Sequence, residues 1–314
     1  MRVKLTLLII LCFYRMTSFS QPGLITCSSD RNSDNSISIF AESAAYGEYT
    51  VKIIFTSLAG YIASTQISGN ISLVTIERGK KELVRLSQNK TASMYQFQYT
   101  YQYLPGRALR KAPDSSFVYL LPSNNGNHLR ILPVSSLAER IGQKKPEDFS
   151  ATGFIYKLGD TICASRAGTI YECDGTVKEG EKLNETYKNS RNKIAIQHKD
   201  GSLGYYSVLA PIQLLVHEGD YVYAGQPLAV FNKESEKYQI LLSNYYLDQK
   251  RFSSNDYYAG TKSPSNFIYL PMHFHTGENE VPVFLEVNKL YEVQHPKDVI
   301  ALEMSKKEKK KFGF

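Results

Sequence analysis

Histidine is scarce in this chain, six in 314 residues, and two of the six fall in Met272-His273-Phe274-His275. Alternate positions of a strand share a face, so His273 and His275 could offer two imidazoles to one metal ion. No carboxylate at a defined spacing supplies a third ligand, and the competing expectation is a surface pair on a terminal strand. His198, in Gln197-His198-Lys199-Asp200-Gly201, reads as a structural histidine at a strand end. Beyond the N-terminus the cysteines are Cys27, Cys163 and Cys173, an odd number that permits at most one internal disulfide. Cys163 and Cys173 flank Arg166-Ala167-Gly168, which reads as a hairpin turn. A bridge between them is chemically allowed in an oxidising compartment; two buried small residues are the alternative. No Gly-x-Ser-x-Gly, Walker loop or dinucleotide fingerprint is present.

The elements that would position these groups are strands. Hydrophobic residues make up 42% and charged residues 21% of the chain, which is globular composition, and 23 Tyr with 15 Phe suit β-structure. Runs rich in β-branched residues at Ser36–Glu42, Tyr49–Ser57, Ile71–Ile76, Lys81–Leu86 and Phe117–Leu121 predict successive strands. Tyr95-Gln96-Phe97-Gln98-Tyr99-Thr100-Tyr101-Gln102-Tyr103 alternates ring and polar residue, which places all five rings on one sheet face. Burial in an immunoglobulin-like sandwich is the expectation for that face; an exposed platform for sugar rings is the competing one. On the buried reading, Phe97→Ala should cost about 3–5 kcal/mol.

The formal charge of +7 sits at the two ends. Residues 1–20 carry Arg2, Lys4 and Arg15, residues 305–314 carry five Lys against Glu308, and residues 21–304 are neutral. A neutral body gives no support for nucleic-acid binding. The lysine run reads as a solvated tail, with contact to an anionic surface as the minor reading. Arg2 and Lys4 precede the apolar run Leu5–Tyr14, and Ser18-Phe19-Ser20 offers small residues for cleavage. Together they predict an export signal ending near Gln21. Leu24-Ile25-Thr26-Cys27 loosely resembles a lipobox, which makes lipidation of Cys27 an alternative.

Two stretches repeat one pattern. Gly159-Asp160-Thr161-Ile162-Cys163 leads to Ala167-Gly168, and Gly219-Asp220-Tyr221-Val222-Tyr223 leads to Ala224-Gly225-Gln226. Between them lies Ile194–Leu209, whose Asp200-Gly201 predicts a hairpin turn. The three blocks, in this order and over about residues 157–231, resemble the lysostaphin-type (LytM-like) zinc endopeptidases of bacterial cell walls. The strand-rich half before them, with Tyr119-Leu120-Leu121-Pro122, is similar to the domain preceding the peptidase in exported proteins of Bacteroidetes-type bacteria. The resemblance implies a β-barrel and a peptide-holding groove, with zinc held by three protein ligands and an open position for water.

This chain departs from the family at each of those positions. The family's zinc-ligating Asp aligns near Gly153, and no His lies between His128 and His198 to supply the first ligand. The histidine of the family's Tyr-x-His-Leu is Val208, in Tyr206-Ser207-Val208-Leu209. The late His-x-His should follow Phe231 closely, but Glu236–Leu242 contains no histidine. Gly153, His198, Tyr206 and Val208 are thus the positions that match the family's groove. Val208 is expected to face that groove and to tolerate histidine, whereas Leu209 is expected to pack inward.

The sequence therefore predicts an all-β protein. It has a signal at 1–20, an immunoglobulin-like β-sandwich at 21–123, a linker at 124–150, a degenerate lysostaphin-type barrel at 151–304 and a basic tail at 305–314. The expected function is a non-catalytic binding or regulatory module of the cell envelope, without cofactor, partnered by peptidoglycan or an envelope protein. The alternatives are a zinc-dependent peptidoglycan endopeptidase using His273 and His275, and a surface adhesion or carbohydrate-binding protein. Export implies the periplasm, the outer surface or the medium.

Overall fold

The computed structural model describes residues 24–134, 148–176, 192–235, 238–254 and 265–314. The predicted signal therefore lies outside the described residues. Strands dominate them, and the few helices are short. No helix among the described residues is long and apolar enough to cross a membrane.

The N-terminal strands form two antiparallel sheets. One orders Ile25–Arg31, Ile37–Ser43, Gly79–Gln88 and Tyr61–Ala63; the other orders Ile71–Ile76, Tyr49–Ala59 and Gln96–Pro105. Alternate residues of the two sheets, among them Ile37, Ile39, Val84 and Leu86 on one and Val51, Ile53 and Phe55 on the other, enclose a single apolar cluster. The period-two pattern thus places the predicted runs between 36 and 86, and Ile25–Arg31 and Tyr61–Ala63 are added to them; Val118–Leu120, from the run expected at Phe117–Leu121, lies outside these two sheets and pairs in parallel with His273–Thr276. Both additions are edge strands too polar or too short to stand out in sequence.

The ring-bearing strand Gln96–Pro105 pairs only with Tyr49–Ala59 among the described strands. Its rings share a face, but an edge position closes that face only in part. Phe97, Tyr99 and Tyr103 pack against the cluster half-buried, while Tyr95 and Tyr101 are 39% and 37% exposed. Full burial of the stripe is thereby corrected to a half-open ledge. Phe97→Ala should accordingly cost about 1–2 kcal/mol rather than a full core truncation, measured by denaturant unfolding; a cost above that range would mean that the ledge is closed in solution.

In the C-terminal half, a large sheet runs in the order Tyr221–Val222, Gly168–Asp174, Asn192–Gln197, Leu203–Val208, Gln239–Leu247, Thr152–Ile155, His128–Leu132 and Leu290–Glu292, with Phe267–Leu270 also on Gln239–Leu247. His128–Leu132 lies in the stretch assigned from composition to a linker. Its Leu129 and Ile131 are buried, so alternation of apolar residues wins over the surrounding turn residues. A second sheet of Thr161–Cys163, Pro227–Val230 and Gln213–Leu214 packs over the large one. The cluster between them includes Ile162, Leu228, Ile170, Ile194, Ile196 and Phe154.

The repeated Gly-Asp blocks build matching turns. Gly159 and Gly219 have φ of +87° and +93°, a region that glycine enters without a Cβ penalty. Asp160 Oδ2 accepts from the Lys157 N–H at 2.7 Å, and Asp220 Oδ2 accepts from the His217 N–H at 2.8 Å. Asp200-Gly201 forms the turn between Asn192–Gln197 and Leu203–Val208, which pair in register from Gln197↔Leu203.

The two halves are stapled together. Tyr171, Ala195 and Leu203 of the large sheet complete the N-terminal cluster. The Glu48 N–H donates to Gln197 Oε1 at 2.6 Å. Lys52, only 3% exposed, crosses the seam to donate to the Ser254 carbonyl at 2.8 Å.

Candidate functional site

The strand Leu203–Val208 lies between Asn192–Gln197 and Gln239–Leu247. Val208 stands directly opposite Ile240, and Tyr206 opposite Leu242; Ile240 in turn stands opposite Phe154. Cross-strand neighbours share a sheet face, so these five residues project together. That face is the closed core: Val208 and Tyr206 are each 1% exposed, Ile240 and Phe154 0%, Leu242 2%. The Tyr206 hydroxyl accepts from the Ser165 N–H at 2.8 Å and is satisfied there. Tyr206 and Val208 therefore do not line an open groove, and Leu209, expected to pack inward, is the half-buried one. The cause is a second sheet covering the face, which strand periodicity cannot report.

Gly153 stands opposite Leu241 and Leu132, so it belongs to the other face. A Cβ there would meet the Leu132 and Val134 side chains at 2.9 and 3.0 Å. Zinc does not fit these residues: a glycine without room for a side chain and a set of sealed aliphatics offer no donor atom.

His273 and His275 lie on the strand His273–Thr276, both half-buried. The His273 ring lies 4.1 Å from the Phe284 ring, and its Nδ1 is 3.1 Å from the Ser115 carbonyl. Among the described residues no three His, Cys, Asp or Glu side chains are grouped so as to hold a metal.

All three thiols are free. The expected hairpin between Cys163 and Cys173 does not form, because Thr161–Cys163 pairs with Pro227–Val230 while Gly168–Asp174 pairs with Asn192–Gln197. Burial pushes the Cys163 thiol up to about 12 and the Cys27 thiol up to about 11, so neither is a thiolate nucleophile at neutral pH. Cys27 lies inside a paired strand, opposite Ala41.

The most charged feature of the interior is one that sequence reasoning missed. Arg166 follows the turn after Thr161–Cys163 and is 3% exposed. Its Nη2 and Nε donate to the two carboxylate oxygens of Glu303 at 2.7 and 3.1 Å, the forked geometry that suits guanidinium to carboxylate. Its Nη1 lies 2.9 Å from Asp200 Oδ2 and 3.3 Å from Ser202 Oγ. The guanidinium carbon stacks 3.7 Å from the Phe117 ring centroid. Burial alone would lower the guanidinium pKa, but the Glu303 hydrogen bonds and surrounding charges raise it on balance. Asp200 is a half-buried carboxyl whose pKa burial would raise; Arg166 and the Ser202 hydrogen bonds outweigh that and lower it.

His198 flanks this network. Its Nδ1 is 2.8 Å from the Ala167 carbonyl; a carbonyl only accepts, so Nδ1 carries the hydrogen. Nε2 faces Gly204, where a Cβ would approach to 2.8 Å. Burial, then the neighbouring Arg166 charge, push the imidazole down to about 3, and the ring is neutral at physiological pH. A signal for Arg166 existed in the sequence, a lone cation in an otherwise small-residue turn. Its partner Glu303 lies too far along the chain to be paired by spacing.

A cleft of about 420 Å³ opens in the N-terminal half, lined by Glu48, Thr75, Arg78, Lys81 and Arg107 among others. Its charges are largely engaged. Arg107 lies 3.7 Å from Glu48, Lys81 donates to the Thr75 carbonyl at 2.8 Å, and Arg78 stacks 4.3 Å over Tyr46.

No protein-family model matches this chain, and no curated protein does. Among solved structures, a putative glycyl-glycine endopeptidase lytM from Ruminococcus gnavus aligns at 17% identity over 38% of this chain and 42% of its own, with a TM-score of 0.24. The chain thus spans less than half the length of that relative. Csd3 from Helicobacter pylori aligns at 10% identity over 92% of this chain and 83% of its own, TM-score 0.28. A zinc-containing peptidase from Vibrio cholerae aligns at 14% identity over 70% and 75%, TM-score 0.24. At these scores the neighbours do not define the fold, which rests on the strand pairings above.

Proposed function

We propose that this chain is a peptidase-like binding or regulatory module of the bacterial cell envelope that carries no zinc and does not hydrolyse peptidoglycan. The observation that carries the reading is the sealing of Val208, Ile240, Leu242 and Phe154 into one core. The resemblance aligns the catalytic histidine with Val208 and expects the late His-x-His closely after Phe231, in a stretch that reads Glu236–Leu242 and includes Ile240 and Leu242. A metal-bound water needs an open coordination position reached by solvent, and aliphatic side chains sealed at these positions supply neither ligand nor access. The three ordered blocks support a lysostaphin-type origin, and the export signal expected at residues 1–20 supports action outside the cytoplasm. Peptidoglycan or an envelope protein is the proposed partner.

The alternative through His273 and His275 has less support. His273 is engaged by Phe284 and by the Ser115 carbonyl, and no acidic or cysteine side chain joins the pair among the described residues. The test is elemental analysis of the purified protein together with incubation on isolated peptidoglycan. Substoichiometric zinc and no released fragments are expected. About one zinc per chain, the content of an occupied catalytic site, with fragments whose release stops on chelation, would overturn the reading.

A further inference from the structure

The lysine run read from sequence as a solvated tail is a docked helix. Residues Lys306–Phe312 are helical, started by a capping box between Ser305 and Glu308 and closed by Gly313 in the left-handed region. The Tyr223 hydroxyl donates to Glu308 Oε1 at 2.9 Å, and the Tyr223 ring meets the Phe312 ring edge-on at 5.0 Å. Glu308 and Phe312 are four apart, so they share one face. That face holds the helix to the barrel.

The docking direction fixes where the lysines point. With about 100° of rotation per residue, Lys306 and Lys310 project almost opposite the Glu308–Phe312 stripe, and Lys307, Lys309 and Lys311 flank them. Among the described residues none of the five has an acidic partner within salt-bridge distance. Lys199, exposed on the neighbouring turn, is close enough to act on the Glu308 carboxyl. Lys297 lies 5.8 Å over the Phe314 ring. Acids near this corner include Asp298, which is exposed, Glu308, which is held in the capping box, Glu303 and Asp200, which are both held by Arg166, and Asp220, which accepts from the His217 N–H.

Large apolar side chains are exposed at the same corner: Leu302 at 51%, Tyr221 at 46%, Phe312 at 45% and Phe314 at 39%. Lysines alone fit any polyanion. Lysines interspersed with exposed rings and a leucine fit an interface that is anionic at its surface and apolar just beneath it. We propose that this corner is a docking surface for an anionic lipid bilayer, on which the chain lies peripherally. The inference is independent of whether the barrel binds or cleaves peptidoglycan.

The test is co-sedimentation of the chain from Gln21 onward, which contains every described residue, with phosphatidylcholine vesicles with and without phosphatidylglycerol. Binding should require phosphatidylglycerol and should weaken as salt is raised. The combined change Lys306→Gln, Lys307→Gln and Lys310→Gln should lower the partition coefficient at least about tenfold, since each lysine near such a surface contributes on the order of fivefold. The combined change Leu302→Ser and Phe314→Ser should weaken vesicle binding while leaving retention on soluble polyphosphate unchanged. Thermal melts of the variants matching the parent confirm that the fold is retained. Equal binding to both vesicle types, or binding unmoved by the lysine changes, would overturn the proposal. Retention on polyphosphate without vesicle binding would also overturn it and assign the corner to a soluble polyanion.

Discussion

Val208→His is expected to destabilise the protein by about 3–5 kcal/mol, because it combines overpacking with burial of an imidazole whose polar neighbour, Asn192, already donates to the Ala210 carbonyl at 2.7 Å. Val208 is 1% exposed and stands between Asn192 on one neighbouring strand and Ile240 on the other. The surrounding cluster is aliphatic and aromatic and offers no water route to a ring nitrogen. Leu209→His, at a half-buried position, should cost less, about 1–2 kcal/mol. This order reverses the one that alignment to an open groove predicts, so the pair tests the closed face directly. Urea unfolding followed by circular dichroism reads both values. A Val208→His protein as stable as the parent, or one less damaged than Leu209→His, would mean that the face is open in solution.

The second large effect is at Arg166. Arg166→Ala should cost about 3–5 kcal/mol, because breaking a buried ion pair from one side leaves carboxylates facing a desolvated void. Glu303 and Asp200 have side chains only 12% and 26% exposed, and the Phe117 ring loses its stacking partner as well. Glu303 lies on the segment that carries the short helices Lys297–Ile300 and Lys306–Phe312, in which no helical residue is buried. Without the ion pair that segment is held mainly by Ala301, which is buried, and by the Tyr223 contacts to Glu308 and Phe312. Limited proteolysis should therefore cut within 297–314 faster in Arg166→Ala than in the parent, at matched temperature below both unfolding transitions. Unchanged melting and unchanged cleavage would show that the segment is held elsewhere.

Several elements could be read from the chain itself, and for local reasons. Tyr49–Ala59 and Ile71–Ile76 were legible because strand periodicity is written in consecutive residues. The turns at Gly159-Asp160, Gly219-Asp220 and Asp200-Gly201 were legible because positive φ at glycine and an Asp accepting from a backbone N–H are events within a few residues. The alternation of rings at 95–103 put Phe97, Tyr99 and Tyr103 against one cluster. It could not tell that the strand lies at a sheet edge, where the face is covered only by what happens to pack beside it.

What the sequence by itself determined is an all-β chain with period-two strands and its repeated turns, with glycine at 153 and valine at 208. Tertiary structure alone decided which face of the Leu203–Val208 strand is closed, that Cys163 and Cys173 pair into different sheets, that Arg166 meets Glu303, and that the lysine run docks as a helix on Tyr223. Each of these depends on a partner distant in sequence. Period two says that two side chains share a face, but the energy of burying that face comes from whichever sheet lands on it, and spacing along the chain carries no record of that contact.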